Sequence, residues 1–261
     1  MSDLVSQKQF DRLPVEIYES MDALGKAAAE RAAGILKSVL VNSDFANMIV
    51  ATGNSQLSFY DHLVRKEGID WSRVRIFHMD EYVGMALTHP ASFRRYLHEK
   101  LVDWVTPAAF FGIQGDASDL ALECDRYSDL LTQYPAHLCC LGIGENGHLA
   151  FNDPPVANFQ DQVKVKIVRL DQRSRMQQVG EGHFPDLAQV PAHAVTLTIP
   201  ALLSARQVLA IVPELRKAEA VTRALTGPVT TACPASILRT VPNARLYLDV
   251  DSASQLRQGG L

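Results

Sequence analysis

Four polar residues, three of which can take up or release a proton, follow one apolar run. Leu138–Leu141 is apolar, and glycines interrupt the chain directly after it. Within nine residues the chain then presents Glu145, Asn146, His148 and Asp153. A buried strand that ends in a glycine-rich turn brings such side chains to its carboxyl end, where open α/β sheets bind ligands. Because histidine titrates near neutral pH, His148 is the first candidate for a catalytic group.

A second loop has the composition of an anion-binding turn. The apolar run 45–51 is followed at once by Thr52, Gly53, Asn54 and Ser55, and then by a helical pattern. A strand, a small polar turn and a helix point backbone N–H groups at an anion. An ordinary capped turn explains the same residues equally well. Since GNSQLS matches neither the P-loop nor the dinucleotide fingerprint, mononucleotide binding is disfavoured.

A third loop carries two adjacent acids. The apolar run 74–79 leads directly into Asp80 and Glu81. Carboxylates next to a core are costly unless they are solvated, paired or used in chemistry. From this segment alone, a solvated pair in a loop is favoured over a catalytic one. Pro90 and Ser92 then mark the start of the next helix.

The elements around these loops alternate between helix and strand. The predicted helices span 20–40, 57–64, 93–101, 120–133 and 215–225. The predicted strands span 45–51, 74–79, 138–141, 163–170, 194–199, 207–212 and 244–250. This alternation predicts an α/β fold of the Rossmann-like kind, a doubly wound, mostly parallel sheet with helices on both faces. Parallel strands end at the same edge, so the three loops are expected to converge on one crevice.

We expect a single domain over 1–261, with a polar N-terminal arm at 1–19 and a C-terminal tail at 252–261. The chain of 261 residues shows no internal repeat or linker, and its length suits one α/β unit. Its four cysteines form no metal-binding pattern. Cys139 and Cys140 are adjacent on a predicted strand and should face opposite sides of the sheet. We expect all four to be reduced thiols.

The charge balance disfavours two classes of partner. Lysine and arginine total 25 against 29 acidic residues, for a net charge of -4. With this charge balance we expect no basic surface that would bind nucleic acid or an anionic membrane. The first twenty residues contain no apolar or basic presequence, and no apolar run approaches the roughly 18 residues of a membrane span. We therefore expect a soluble, cytoplasmic protein with a small-molecule partner.

The amino-acid sequences of the three loops resemble those of one known family. The segments ATGNS, FHMDEYVGMALTHPASF and LGIGENGHLAFNDPP, in this order and at these separations, resemble the glucosamine-6-phosphate deaminases (glucosamine-6-phosphate isomerases). These enzymes are relatives of the 6-phosphogluconolactonases. The likeness covers roughly 47–251. MDEYVG followed by HPASF is closer to the deaminases than to the lactonases.

The resemblance implies an aldose-ketose isomerising deaminase that forms fructose 6-phosphate and ammonia. It implies that Asp80 carries a proton from C2 to C1, and that His148 opens the sugar ring with the help of Asn146 and Asp153. No metal or organic cofactor is obligatory for this reaction. The resemblance also places three further residues at the site: Glu81, Gly144 and Gly147.

The same resemblance implies a phosphate subsite. The turn amides and hydroxyls of the second loop would hold the phosphoryl group, and Lys217 would be the matching cation. The residues implied for this subsite are Thr52, Gly53, Asn54, Ser55, Lys217 and Arg175. Without the resemblance, Lys217 would be expected to be an ordinary solvated lysine on a helix.

At three positions the residue differs from the one that is usual in this family. Asn146 stands where an aspartate is common, Asp153 where a glutamate is usual, and Gly180 where an arginine helps to hold phosphate. An amide at 146 can hold the imidazole of His148 by a hydrogen bond but cannot stabilise its charged form. The missing arginine would be replaced only if Arg173 or Arg175 reached the subsite.

These departures keep alternatives open. A sugar lactone hydrolase similar to 6-phosphogluconolactonase would use His148 to activate water and would not need Asp80 as a base. A non-catalytic sugar phosphate sensor is the third possibility. Within the deaminase hypothesis, galactosamine 6-phosphate is an alternative substrate. The sequence also leaves open a homo-oligomer, and it marks 153–162 as a candidate mobile lid.

Overall fold

The computed structural model describes residues 3–257 and contains two sheets. Eight strands form the central sheet in the order β1-β2-β11-β10-β7-β3-β4-β6, and three form a second sheet in the order β5-β9-β8. Every described pairing in the central sheet is parallel except that of β1 with β2. The strands are β1 (Leu4–Phe10), β2 (Leu13–Tyr18), β3 (Ala46–Val50), β4 (Val74–His78), β5 (Asp80–Tyr82), β6 (Ala109–Phe111), β7 (Leu138–Leu141), β8 (Val165–Arg169), β9 (His193–Leu197), β10 (Gln207–Val212) and β11 (Ala244–Asp249).

Helices flank the central sheet, and each face has its own apolar core. Cys139 packs in one core cluster and Cys140 in the other, because neighbouring residues of a strand face opposite ways. The predicted α/β class with a mostly parallel sheet is confirmed. Within 3–257 no helix has the length and apolarity needed to cross a membrane. The α-helices are α1 (Met21–Asn42), α2 (Leu57–Leu63), α3 (Phe93–Leu97), α4 (Asp103–Val105), α5 (Leu120–Gln133), α6 (Gln172–Gly180), α7 (Ile199–Leu203) and α8 (Ala218–Thr226).

The second sheet corrects the expected location of two strands and one loop. The predicted strands at 163–170 and 194–199 exist as β8 and β9, but they pair antiparallel to each other outside the central sheet. The segment expected to be an acidic loop forms β5 and pairs with β9. A separate aromatic cluster that includes Tyr82, Phe93 and Phe151 is buried under this sheet. Packing against these aromatic side chains accounts for the separation of β8 and β9 from the parallel strands of the central sheet.

The chain ends are more ordered than expected. The arm predicted at 1–19 contains the β1–β2 hairpin, and β2 pairs parallel with β11. Leu13 and Val15 are fully buried, because alternate residues of β2 face the core. In the predicted tail 252–261, Ala253 is buried and 254–257 forms a helical turn. Residues 1–2 and 258–261 lie outside the described part of the chain.

Candidate active site

The three polar loops meet in one cleft at the carboxyl edge of the central sheet. The strands that end there, β4, β3, β7 and β10, are neighbours in the sheet. Parallel strands deliver the loops that follow them to a common edge, as the sequence predicted. The cleft walls include these side chains and glycines: Thr52, Gly53, Ser55, Asp80, Gly144, His148, Gln177, Gln178, Glu181 and Lys217.

Asp80 presents an unpaired carboxylate to the cleft. The residue is only 6% exposed, and no hydrogen bond or ion pair within 3–257 holds its side chain. Burial, followed by the neighbouring charge of Glu81, raises the pKa of Asp80 to about 8. A carboxylate with a pKa near neutrality is suited to take up a proton and deliver it again.

Glu81, predicted to lie at the site, is not among the residues that line the cleft, and its carboxylate is bonded elsewhere. Its carboxylate accepts hydrogen bonds from Ser92 Oγ (2.9 Å), Arg94 N (3.1 Å) and Phe93 N (3.2 Å). These donors lie at the start of α3, where backbone N–H groups lack partners within the helix. Asp80 and Glu81 point in opposite directions because successive residues of β5 alternate. Glu81 fixes the position of α3.

His148 is held by a carboxylate and a hydroxyl. Its Nδ1 lies 2.9 Å from Asp153 Oδ1 and 3.0 Å from Ser174 Oγ. The described residues provide no partner for Nε2, which leaves this atom available to a molecule bound in the cleft. A carboxylate on Nδ1 orients the ring and stabilises its charged form. The shorter side chain at 153 therefore still reaches the imidazole.

Asn146 does not contact the imidazole, contrary to the expectation from sequence. Its Nδ2 donates to Asp153 Oδ1 (2.9 Å) and to Ser174 Oγ (3.3 Å), and its Oδ1 accepts from the backbone N–H of His148 (3.0 Å). Burial raises the pKa of Asp153, but the charge of His148 and the surrounding hydrogen bonds outweigh it and lower the pKa to about 2. Asn146 thus positions Asp153, and the carboxylate performs the role expected of an aspartate at 146.

Ser174 is a site residue that sequence reasoning missed. Its Oγ donates to Asp153 Oδ1 and lies against the imidazole of His148. Ser174 belongs to α6, and the sequence predicted no role for it. No local signal marks it, because its partners lie more than twenty residues away in sequence. Glu181 is a second residue that sequence reasoning missed, and its ion pair with Arg216 joins residues 35 positions apart.

The glycines of the loop make room for the imidazole. A Cβ at Gly144 would lie 2.2 to 2.4 Å from three atoms of the His148 ring. Gly147 has φ of +90°, and a Cβ there would come within 2.8 Å of Cys233 Sγ. Both positions therefore need glycine for steric reasons, and Gly144 needs it specifically because His148 packs on its backbone.

Replacing Gly144 by alanine should displace the His148 ring and lower activity by at least about tenfold, since the geometry of a proton-transfer group is decisive. Turnover of glucosamine 6-phosphate, the substrate that the family resemblance implies, and the melting temperature should be measured together. Gly34→Ala is the matched control, because a Cβ at Gly34 meets nothing within 4 Å. Equal activity of the Gly144→Ala variant and the parent would contradict the steric argument.

The turn after β3 and Lys217 both line the cleft. Thr52, Gly53 and Ser55 line the cleft, and Gly53 has φ of +102°. Asn54 begins a short helical turn, Asn54–Gln56, and is not among the lining residues. Lys217 is 3% exposed, and burial lowers its pKa. Within 3–257 its ammonium has no hydrogen-bond or ion-pair partner, so it is available to an anion.

Arg175, predicted to bind phosphate, is not among the residues that line the cleft. Its Nη2 donates to the backbone oxygens of Leu187 and Val190, both at 2.7 Å. These bonds tie α6 to the loop before β9. Arg173 instead faces Glu219 at 3.7 Å. Neither arginine replaces the one that is missing at 180.

Glu181 lies in the cleft next to the position of the missing arginine. Its Oε1 accepts from Gln177 Nε2 and from Arg216 Nη1, both at 2.7 Å. Burial raises the pKa of Glu181, but His183, Lys217 and Arg216 outweigh it and lower the pKa to about 2. A charged carboxylate therefore shares the cleft with Lys217.

The proton-transfer groups of the cleft are thus carboxyl and imidazole side chains. Within 3–257 no group of three or more histidine, cysteine, aspartate or glutamate side chains is arranged to hold a metal ion. Asp80 provides an acceptor, and His148 provides a second group that is oriented by Asp153. Lys217 provides the positive charge. Such a set can move protons along a small bound molecule that carries an anionic group.

Comparison with known proteins identifies similar chains over most of this length. The family model for glucosamine-6-phosphate isomerases/6-phosphogluconolactonase matches residues 19–247. A glucosamine-6-phosphate deaminase of Bacillus cytotoxicus is 33% identical over 238 residues, which is 91% of this chain and 87% of that relative. One of Exiguobacterium sibiricum is 35% identical over 207 residues, covering 79% and 80%.

Solved structures show the same fold. A monomeric glucosamine-6-phosphate deaminase superimposes with a TM-score of 0.85 at 28% identity, covering 92% of this chain and 98% of that one. A 6-phosphogluconolactonase from Shewanella baltica gives a TM-score of 0.74 at 20% identity, covering 93% and 99%. At the lower identity the likeness concerns the fold alone.

Proposed function

The chain belongs to the family of glucosamine-6-phosphate isomerases and 6-phosphogluconolactonases, and we propose that it converts glucosamine 6-phosphate to fructose 6-phosphate and ammonia. The observation that carries this proposal is the carboxylate of Asp80. It faces the cleft, no residue of 3–257 pairs with it, and its pKa is raised to about 8. An isomerising deaminase needs a base of this kind at C2, whereas hydrolysis of a lactone removes no proton from carbon.

The first step of the proposed mechanism opens the sugar ring. The anomeric hydroxyl loses its proton, the bond between C1 and the ring oxygen breaks, and the ring oxygen gains a proton. His148 carries this proton through Nε2, since Nδ1 is held by Asp153 at 2.9 Å. The charge of Asp153 stabilises the imidazolium that forms while the proton is in transit.

The second step moves a proton between neighbouring carbons. Asp80 takes the proton from C2, the electron pair of the C2–H bond forms a double bond between C2 and C1, and the π pair of the C1 carbonyl moves to its oxygen, which gains a proton from water. Asp80 then returns a proton to C1, which leaves an iminium carbon at C2. Water adds there and ammonia leaves, so substrate and water become fructose 6-phosphate and ammonia. One carboxylate performs both transfers because C1 and C2 are adjacent.

The other end of the cleft would hold the phosphoryl group. Thr52, Gly53 and Ser55 offer hydroxyl and amide donors, and Lys217 offers a positive charge that no described residue pairs with. Lysine acts here as a point charge on a dianion. The phosphoryl group would anchor the substrate and place C1 and C2 near Asp80.

The test is a direct comparison of substrates. Purified protein is incubated separately with glucosamine 6-phosphate, galactosamine 6-phosphate and 6-phosphogluconolactone. Ammonia with fructose 6-phosphate is measured in the first reaction, ammonia with the matching ketose phosphate in the second, and acid release in the third. We expect ammonia from glucosamine 6-phosphate. Acid release without ammonia would establish a lactonase instead, and inactivity on all three substrates would favour a sensor.

A further inference from the structure

The phosphate end of the cleft contains a carboxylate where an arginine is expected. Gly180 provides no side chain, and the next residue, Glu181, lines the cleft beside Lys217. We propose that Arg216 supplies the second cation for the phosphoryl group, and that in the ligand-free cleft Glu181 occupies the position that the phosphoryl group takes. This inference rests on the proposed function for the identity of the ligand.

Arg216 is surrounded by more carboxylates than its single positive charge can neutralise. Its Nη1 lies 2.7 Å from Glu181 Oε1 and 3.6 Å from Glu145 Oε1, and its Nε donates to Glu214. Three carboxylates face two cations, Arg216 and Lys217, which leaves an excess of one negative charge. A guanidinium forms bidentate contacts with phosphoryl oxygens, so one carboxylate can be replaced without loss of hydrogen bonds.

Glu181 separates this guanidinium from the anion-binding turn. Its Oε1 contacts Arg216, while its Oε2 lies 3.9 Å from the position that a Cβ would take at Gly53. A dianion that enters at Gly53 repels the carboxylate and attracts the guanidinium behind it. Within 3–257, Arg216 is the only arginine or lysine that forms an ion pair with a carboxylate lining the cleft.

The backbone around Glu181 allows this exchange. Glu181 stands between Gly180 and Gly182, and a Cβ at either glycine would meet nothing within 4 Å. His183 Nε2 lies 3.4 Å from Glu181 Oε2 and can keep the carboxylate as a partner after it leaves Arg216. Glycines on both sides lower the cost of a change in backbone angles.

The helical turn that contains Arg216 also fixes this residue next to Lys217. Leu215–Lys217 forms a single helical turn directly before α8, so Arg216 and Lys217 are fixed together at the end of β10. Glu214 has φ of +83°, and its backbone N–H donates to Asp249 Oδ2 at 3.0 Å. A non-glycine residue with a positive φ is strained. Such strain persists at functional sites where the surrounding structure holds the backbone in place.

The experiment measures binding of inorganic phosphate by calorimetry and, in parallel, KM and kcat for glucosamine 6-phosphate. The variants are Arg216→Gln, Glu181→Gln and the double variant. Arg173→Gln is the matched control, since Arg173 is exposed and faces Glu219 instead of the cleft. Far-UV circular dichroism and melting temperature check that each variant folds, and Arg216→Lys, which keeps the charge, replaces Arg216→Gln if that variant unfolds.

We expect Arg216→Gln to weaken phosphate binding and raise KM by about 10- to 100-fold, with kcat nearly unchanged. Glu181→Gln should bind phosphate as tightly as the parent or more tightly. The double variant should bind at least about fivefold more weakly than Glu181→Gln. A smaller difference would overturn the proposal, because Arg216 would then only neutralise Glu181. If the parent releases no ammonia, the deaminase assignment fails, while phosphate binding still decides the role of Arg216.

Discussion

Replacing Asp80 by asparagine is expected to lower kcat by about a hundred- to ten-thousand-fold, with little change in substrate binding. Asparagine has nearly the same shape but cannot take a proton from carbon. Asp80 has no hydrogen-bond or ion-pair partner within 3–257, so the substitution breaks no contact that holds the fold. Two signals report the result: ammonia release, and exchange of the C2 proton with deuterated water by NMR.

The control for this variant is Asp61→Asn, which makes the same change at an exposed position of α2. Its kcat should match that of the parent. Retained exchange of the C2 proton in Asp80→Asn would remove Asp80 from its proposed role, even if ammonia release fell. Loss of binding together with loss of turnover would indicate an effect on the shape of the cleft.

The raised pKa of Asp80 also gives the reaction a pH dependence. The base must be ionised, so kcat/KM is expected to increase as the pH approaches about 8 and to level off above it. Stability should change in the opposite direction. In the folded protein Asp80 keeps its proton up to a pKa of about 8, whereas in the unfolded chain the carboxyl loses it near its ordinary pKa of 3.8, so the folded state binds more protons in between.

The contribution of Asp80 to stability is therefore lost as the pH rises from about 4 to about 8. Asparagine carries no charge at any pH, so the melting temperature of Asp80→Asn should fall less than that of the parent over this range. Such a result, combined with loss of turnover, separates a catalytic effect from damage to the fold.

Replacing His148 by glutamine is expected to lower kcat by about a hundred- to ten-thousand-fold, because ring opening loses its proton carrier. The amide can keep a hydrogen bond to Asp153 but cannot accept and release a proton near neutral pH. Production of ammonia under saturating substrate measures the effect. Asp153→Asn should cause a smaller loss, since it leaves the imidazole in place and removes only its charged partner.

His98→Gln is the matched control for His148→Gln. His98 Nδ1 lies 2.9 Å from Asp103 Oδ1, the same distance as in the pair of His148 with Asp153, but both partners are exposed. The control should retain full activity. If His148→Gln kept more than half of the parent kcat, ring opening would not depend on this residue.

The sequence by itself determined the fold class and the meeting of the three loops. Apolar runs of strand length alternated with helical periods, which predicted a parallel sheet. The carboxyl ends of such strands necessarily share one edge. The polar residues directly after three of them, Thr52, Asp80 and His148, therefore had to converge. Residue type and position along a strand are local properties, so one chain was sufficient for this prediction.

Only the tertiary structure decided which side chain partners which. It placed Asp153 and Ser174 against His148, and it directed Glu81 to the start of α3. It also put Glu181 in the cleft and gave Arg175 a role in holding a loop. These outcomes depend on how separate loops lie relative to one another once the cores under the two sheets have packed. Distances between residues far apart in sequence leave no periodic or compositional signal, and therefore no sequence pattern could predict them.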